Sequence, residues 1–229
     1  MRYEIQYQPS YALAIVHLDD GEHFQAEAGA MVSMDQSIKI ETKASGGIGA
    51  ALKRSVLGGE SLFMNEMVAT KDASRLTLAP ALPGDIFGLE LAAGQELLVQ
   101  SGSYLASSPE VKIDTKFGKG KTIFSGEGAF LLKLTGPGTV LLSSYGAIVQ
   151  LDLAAGEKHV VDTGHMVAFD STMDYDVRKA GNSWKTTMLG GEGLIMEVKG
   201  PGRFYFQTRS PGGFLDWLIP KLPRQRSNG

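Results

Sequence analysis

Three carboxylates stand in matched surroundings and raise the first question of chemistry. Glu60, Glu127 and Glu192 each follow a glycine, in Gly59-Glu60, Gly126-Glu127 and Gly191-Glu192, and each pair leads into an apolar run. Brought to one axis, three equivalent carboxylates could hold a cation or raise one another's pKa. Spread over three glycine-rich turns, each would instead accept backbone N–H bonds, the commoner use of a carboxylate there and the preferred reading. The four histidines, His17, His23, His159 and His165, include no H-x-H pair and share no position, so a metal centre is not expected and they read as surface or turn residues. Asp170, Asp174 and Asp176 cluster without a second motif to work against as acid and base. With no cysteine and no G-x-S-x-G, the chain offers no thiol and no serine elbow as nucleophile. The expectation is a protein that is not an enzyme and needs no cofactor.

Two other stretches suggest contact rather than catalysis. Residues 45–56 have a glycine-rich start and a basic end at Lys53-Arg54, but lack both the phosphate-loop pattern and a G-x-G-x-x-G. Ile48 and Leu52 could enter a membrane surface or partner while Lys53 and Arg54 meet anionic headgroups; a loop packed on its neighbour is the plainer reading. Near the end of the chain, helical spacing puts Phe214, Trp217 and Leu218 on one face, Pro220 ends the helix, and Lys221 and Arg224 follow. This tail could anchor at an interface, join subunits, or fold back as a lid on its own core. The lysines of 116–121 surround an aromatic, yet a Lys- and Gly-rich hairpin tip is usually just solvated.

The elements that must position these groups announce themselves by self-similarity. Three segments align without a gap around paired glycines: Gly21 and Gly29, Gly94 and Gly102, Gly156 and Gly164. Glu22, Gln95 or Glu157 follows the first glycine, and Met31-Val32, Tyr104-Leu105 or Met166-Val167 follows the second. The three Gly-Glu pairs downstream recur at intervals of 67 and 65 residues. In the second and third copies the apolar run ends in Gly136-Pro137-Gly138 and Gly200-Pro201-Gly202; in the first, Lys71-Asp72-Ala73-Ser74 takes that turn. Short apolar or alternating runs such as 13–16, 86–91, 148–153 and 204–206 read as strands. A unit of about 65 residues is marginal alone, so three are expected to pack about a pseudo-threefold axis and share a core. The division is a single all-β domain over 1–210, in repeats of about 1–80, 81–145 and 146–210, with a tail over 211–229.

Charge and hydropathy narrow the partners. A net charge of −3, from 22 basic and 25 acidic residues, gives no field to recruit nucleic acid. Asp19 and Asp20 arrive before a signal-peptide apolar run can form, and no stretch approaches a membrane-spanning length. A cytoplasmic location is expected, with attachment at the membrane periphery allowed.

The stretch Lys53-Arg54 followed by Gly59-Glu60-Ser61-Leu62-Phe63, the block 189–202, and the segments 26–34 and 98–107 together resemble the altered-inheritance-of-mitochondria family over essentially the full length. The resemblance implies a triplicated β fold like that of the tryptophan RNA-binding attenuator protein, a double-stranded β-helix or sandwich. It attaches no catalytic activity. For mitochondrial members it implies a role in organising the inner membrane, which does not carry over to a chain without a targeting segment, and a shared fold does not carry RNA binding. The resulting expectation is a non-enzymatic β scaffold acting through protein–protein or membrane-surface contacts, as a homo-oligomer. The alternative is a cupin-like module for a small ligand or metal, with a pocket around His165, Asp162 or the three glutamates.

Overall fold

The computed structural model describes residues 1–41, 64–116, 130–180 and 194–223. In chain order the strands are β1 (Arg2–Gln6), β2 (Leu13–Leu18), β3 (His23–Glu27), β4 (Met31–Met34), β5 (Ile38–Glu41), β6 (Met64–Ala69) and β7 (Ser74–Leu78). Then come β8 (Ile86–Leu91), β9 (Glu96–Gln100), β10 (Tyr104–Ser107), β11 (Lys112–Lys116), β12 (Leu131–Thr135) and β13 (Gly138–Ser143). The last group is β14 (Ile148–Leu153), β15 (Lys158–Asp162), β16 (Met166–Asp170), β17 (Asp174–Lys179), β18 (Leu194–Lys199) and β19 (Gly202–Gln207), followed by helix α1 (Pro211–Leu218). The all-β fold class expected from the strand patterns is what the chain adopts.

One piece of turn chemistry carries the chain from one sheet to another three times, from β2 to β3, from β8 to β9 and from β14 to β15. The carbonyls of Asp19, Ala92 and Ala154 accept the N–H of Glu22, Gln95 and Glu157 at 2.9, 3.0 and 3.0 Å. The third residue of each turn, Gly21, Gly94 or Gly156, has φ of +77°, +75° or +83°, the left-handed region that a type II turn demands and glycine tolerates. The next side chain then reaches back: Glu22, Gln95 and Glu157 accept the N–H of Asp19, Ala92 and Ala154 at 2.9, 3.0 and 2.7 Å. Glycine followed by Glu or Gln is therefore a turn and its clasp together.

Among the described residues all strand ladders are antiparallel, in four sheets. Two have six strands, in the orders β5-β6-β3-β10-β13-β8 and β11-β12-β9-β16-β19-β14. The other two are β1-β2-β7-β4 and β15-β18-β17. In the six-stranded sheets the central join is made by the strand after the turn glycine of one segment (β3 or β9) and the strand after the second glycine of the next (β10 or β16). No hydrogen-bonded ladder links the four-stranded sheet to the three-stranded one among the described residues.

Three apolar clusters join the sheets in succession. The first gathers Val16, Phe24, Leu76 and Leu105; the second Leu97, Val99, Tyr104 and Leu142; the third Leu98, Phe169, Met196 and Phe204. Neighbouring residues of one strand go to different clusters, Leu97 and Val99 to the second and Leu98 to the third, so β9 is buried on both faces. The same holds for β10, where Tyr104 and Leu105 face opposite ways into separate clusters.

Candidate interaction surfaces

Helix α1 is held at its start by Ser210, whose Oγ accepts the Gly213 N–H at 3.2 Å, with Pro211 supplying a first-turn residue that has no N–H to satisfy. Phe214 and Leu218, four residues apart on one side, are half-buried. Phe214 packs edge-on against Tyr145 at 6.0 Å, and the helix lies beside the turn Thr163–His165. Trp217 stacks on Phe214 at 6.1 Å but turns outward, 57% exposed, and Leu215, Ile219 and Leu222 are exposed as well. Lys221 donates from Nζ to the Trp217 carbonyl at 2.9 Å and sits 4.6 Å over the indole ring, a cation–π arrangement. Of the face expected from helical spacing, Phe214 and Leu218 turn toward the body while Trp217 stands at the rim with Lys221. The α-helix ends at Leu218, ahead of Pro220, and a single 3-10 turn over Ile219–Lys221 follows it, because proline is tolerated at the start of a new turn.

Glu60, Glu127, Glu192, Ile48, Leu52, Lys53, Arg54 and Arg224 lie outside the described residues. Of the groups suggested for a polar pocket, Asp162 accepts the Gly164 N–H at 2.8 Å as the cap of its turn, and His165 Nδ1 lies 2.7 Å from the Gln207 carbonyl. Both are used by nearby backbone. His23 and His159 are strand residues rather than turn residues: His23 Nδ1 is 2.8 Å from Glu66 Oε1, and His159 stacks on Phe206 at 6.1 Å. Alternation along β3 and β15 accounts for their half-buried places. Among the described residues no group of three or more His, Asp or Glu could hold a metal ion, and no helix is long and apolar enough to cross a membrane.

A surface that the sequence reading passed over is strand β4. Met31, Val32 and Met34 are exposed, Val32 at 55%, although all four residues of β10 and the matched Met166, Val167 and Ala168 of β16 are buried. The aligned residues are equally apolar in all three, so the alignment gives no hint of the difference. It comes from the neighbour: β10 and β16 each lie between two strands, whereas β4 ends its sheet.

A protein-family model described as Mitochondrial biogenesis AIM24 matches residues 3–209. An uncharacterized protein of Streptococcus pyogenes serotype M6 is 32% identical over 232 residues, covering 97% of this chain and 92% of its own length. The crystal structure of protein SPYM3_0169 from Streptococcus pyogenes superposes with a TM-score of 0.81 at 27% identity, covering 96% of this chain and 99% of that one. A match over nearly every described strand, joined to a relative aligned from end to end, places the chain: it belongs to the Mitochondrial biogenesis AIM24 family.

Proposed function

We propose that the protein is a non-enzymatic β scaffold that works by contact with other proteins or with a membrane surface. The observation that supports this reading is the outward display of Trp217 with Leu215, Ile219 and Leu222 on a helix that is already anchored through Phe214. An apolar rim next to Lys221 suits a surface that is apolar and carries negative charge. Sharing of whole sheets between successive segments gives the rigid body such a contact needs.

Flotation with vesicles containing phosphatidylserine, together with light scattering, tests the reading. Retention on vesicles or a mass above that of one chain is expected, with Trp217→Ser weakening the vesicle arm. A protein that stays monomeric, ignores vesicles and retains no partner overturns it. Stoichiometric metal in elemental analysis would turn the reading toward the cupin-like alternative.

A further inference from the structure

We infer that the end of the strands from which Tyr7, Tyr11 and Trp217 project docks on an anionic phospholipid bilayer, an inference that rests on the scaffold reading and names both its partner and its contact end. The basis is a shared strand direction. β2, β8 and β14 leave this end, and β7, β13 and β19 return to it: Ala14 lies beside Leu78, Ile86 beside Ser143 and Ile148 beside Gln207 here, while Leu18-Ser74, Leu91-Gly138 and Leu153-Gly202 lie at the far end. The chain entering these strands is tied side by side. The Ala12 N–H donates to the Gly84 carbonyl at 2.9 Å, the Asp85 N–H to the Gly146 carbonyl at 2.9 Å, and the Ala147 N–H to Thr208 Oγ1 at 3.0 Å. Residues 7–12, 79–84, 144–147 and 208–223 therefore make one end, with α1 attached to it through Phe214 on Tyr145.

The two ends differ in charge. Residues 7–12, 79–84 and 144–147 include no charged side chain, and 208–223 brings Arg209 and Lys221 against Asp216. At the far end, the turns over 19–22, 70–73 and 154–157 carry Asp19, Asp20, Glu22, Asp72 and Glu157, against Lys71 and the amino terminus that Glu22 holds. In a chain of net charge −3, a negative surface repels the far end and accepts the near one.

The exposed rings are gathered at the same end. Among the described residues, the aromatic side chains that stand exposed are Tyr7 at 67%, Tyr11 at 73% and Trp217 at 57%. Each joins an apolar ring to a polar tip, the combination suited to the headgroup boundary of a bilayer. Gln8, between the two tyrosines, donates from Nε2 to the Ile86 carbonyl at 2.8 Å and to Asp85 Oδ1 at 3.0 Å. The loop is thus fixed to β8 before any contact, which lowers the ordering cost of docking. With eight residues, α1 is far too short to cross a bilayer, so the contact is a shallow one in which Leu215, Trp217 and Ile219 enter beside Lys221.

The chain has no cysteine of its own, so single labels read the contact site by site. Tyr11→Cys, Leu215→Cys and Asp20→Cys proteins, each carrying the polarity-sensitive fluorophore NBD, are mixed with phosphatidylcholine vesicles with and without phosphatidylserine. Brighter, blue-shifted emission is expected at positions 11 and 215 with phosphatidylserine, and none at position 20. A response at 20 equal to that at 11, a response at 215 alone, or an equal response to uncharged vesicles overturns the inference. The Tyr7→Asn/Tyr11→Ser variant changes two exposed side chains and keeps at position 7 a residue that accepts its φ of +60°. It should bind phosphatidylserine vesicles about tenfold more weakly, and unchanged binding overturns the inference. A protein that ignores vesicles yet self-associates or holds a protein partner would remove the bilayer contact and leave the scaffold reading standing.

Discussion

Asp170 takes three hydrogen bonds from Arg203: from the backbone N–H at 2.9 Å, from Nε at 3.1 Å and from Nη2 at 2.9 Å. The pair ties β16 to β19, and the carboxylate holds the guanidinium pKa above its usual value. The same backbone join recurs with less charge, as Asp35 accepts the Arg75 N–H at 2.8 Å and Ser108 accepts the Thr139 N–H at 3.0 Å. Asp170→Ala leaves a partly buried guanidinium and a backbone donor without their acceptor, and should lower stability by about 2 to 3 kcal/mol. Asp35→Ala loses only the backbone bond at an exposed site and should cost about 1 kcal/mol or less. Denaturant titration of the two variants measures the difference.

Glycines of the same type do unlike work, and substitution separates them. A Cβ on Gly94 meets nothing within 4 Å, so Gly94→Ala should cost only the left-handed backbone, about 1 to 2 kcal/mol. On Gly136 a Cβ would strike the Ala92 carbonyl oxygen and lie 2.7 Å from Leu91 Cβ. Gly136→Ala should therefore cost about 3 kcal/mol, the range of a forced overlap against backbone. Thermal melts of the pair give the comparison.

What could be read from the residues alone follows the range of the interaction. The turn and clasp at Gly21-Glu22, Gly94-Gln95 and Gly156-Glu157 act over four residues, so the sequence carries them whole. Strand runs such as Ile86–Leu91 and Ile148–Leu153 announce themselves by alternation and composition. The exposure of β4 is a different matter, since Val32, Leu105 and Val167 occupy matched places and only the neighbouring strand decides which is covered. Trp217 is intermediate: helical spacing grouped it with Phe214 and Leu218, but contact with Tyr145 decided which residues turned inward.

Tyr104 gives a prediction in pH. Its side chain is fully buried, with Oη 3.0 Å from Ser107 Oγ, and burial drives the phenol pKa well above its ordinary value of 10.0, the Ser107 bond opposing only in part. Below pH 10 the phenol is neutral in both folded and unfolded chains and its contribution is intact. Above that, the unfolded chain releases the proton while the folded one retains it, so stability falls as pH rises, by at most about 1.4 kcal/mol per unit for this group. Tyr3, Tyr175 and Tyr205 are raised by burial too and add to the slope. Tyr104→Phe should consequently show a shallower loss than the wild type between pH 10 and 11 in guanidinium unfolding. Equal slopes would mean that the phenol ionises in place.

Phe169 and Met34 occupy matched places on β16 and β4, and their truncation compares a covered strand with an end strand. Phe169 is fully buried in the third cluster against Tyr175 at 5.1 Å, so Phe169→Ala should cost about 3 to 5 kcal/mol at any protein concentration. Met34→Ala at an exposed position should fall within about 0.5 kcal/mol in dilute solution, where each chain stands alone. Denaturant titration of the two variants measures the contrast, and a Met34→Ala loss as large as that of Phe169→Ala would show that β4 is covered within the single chain.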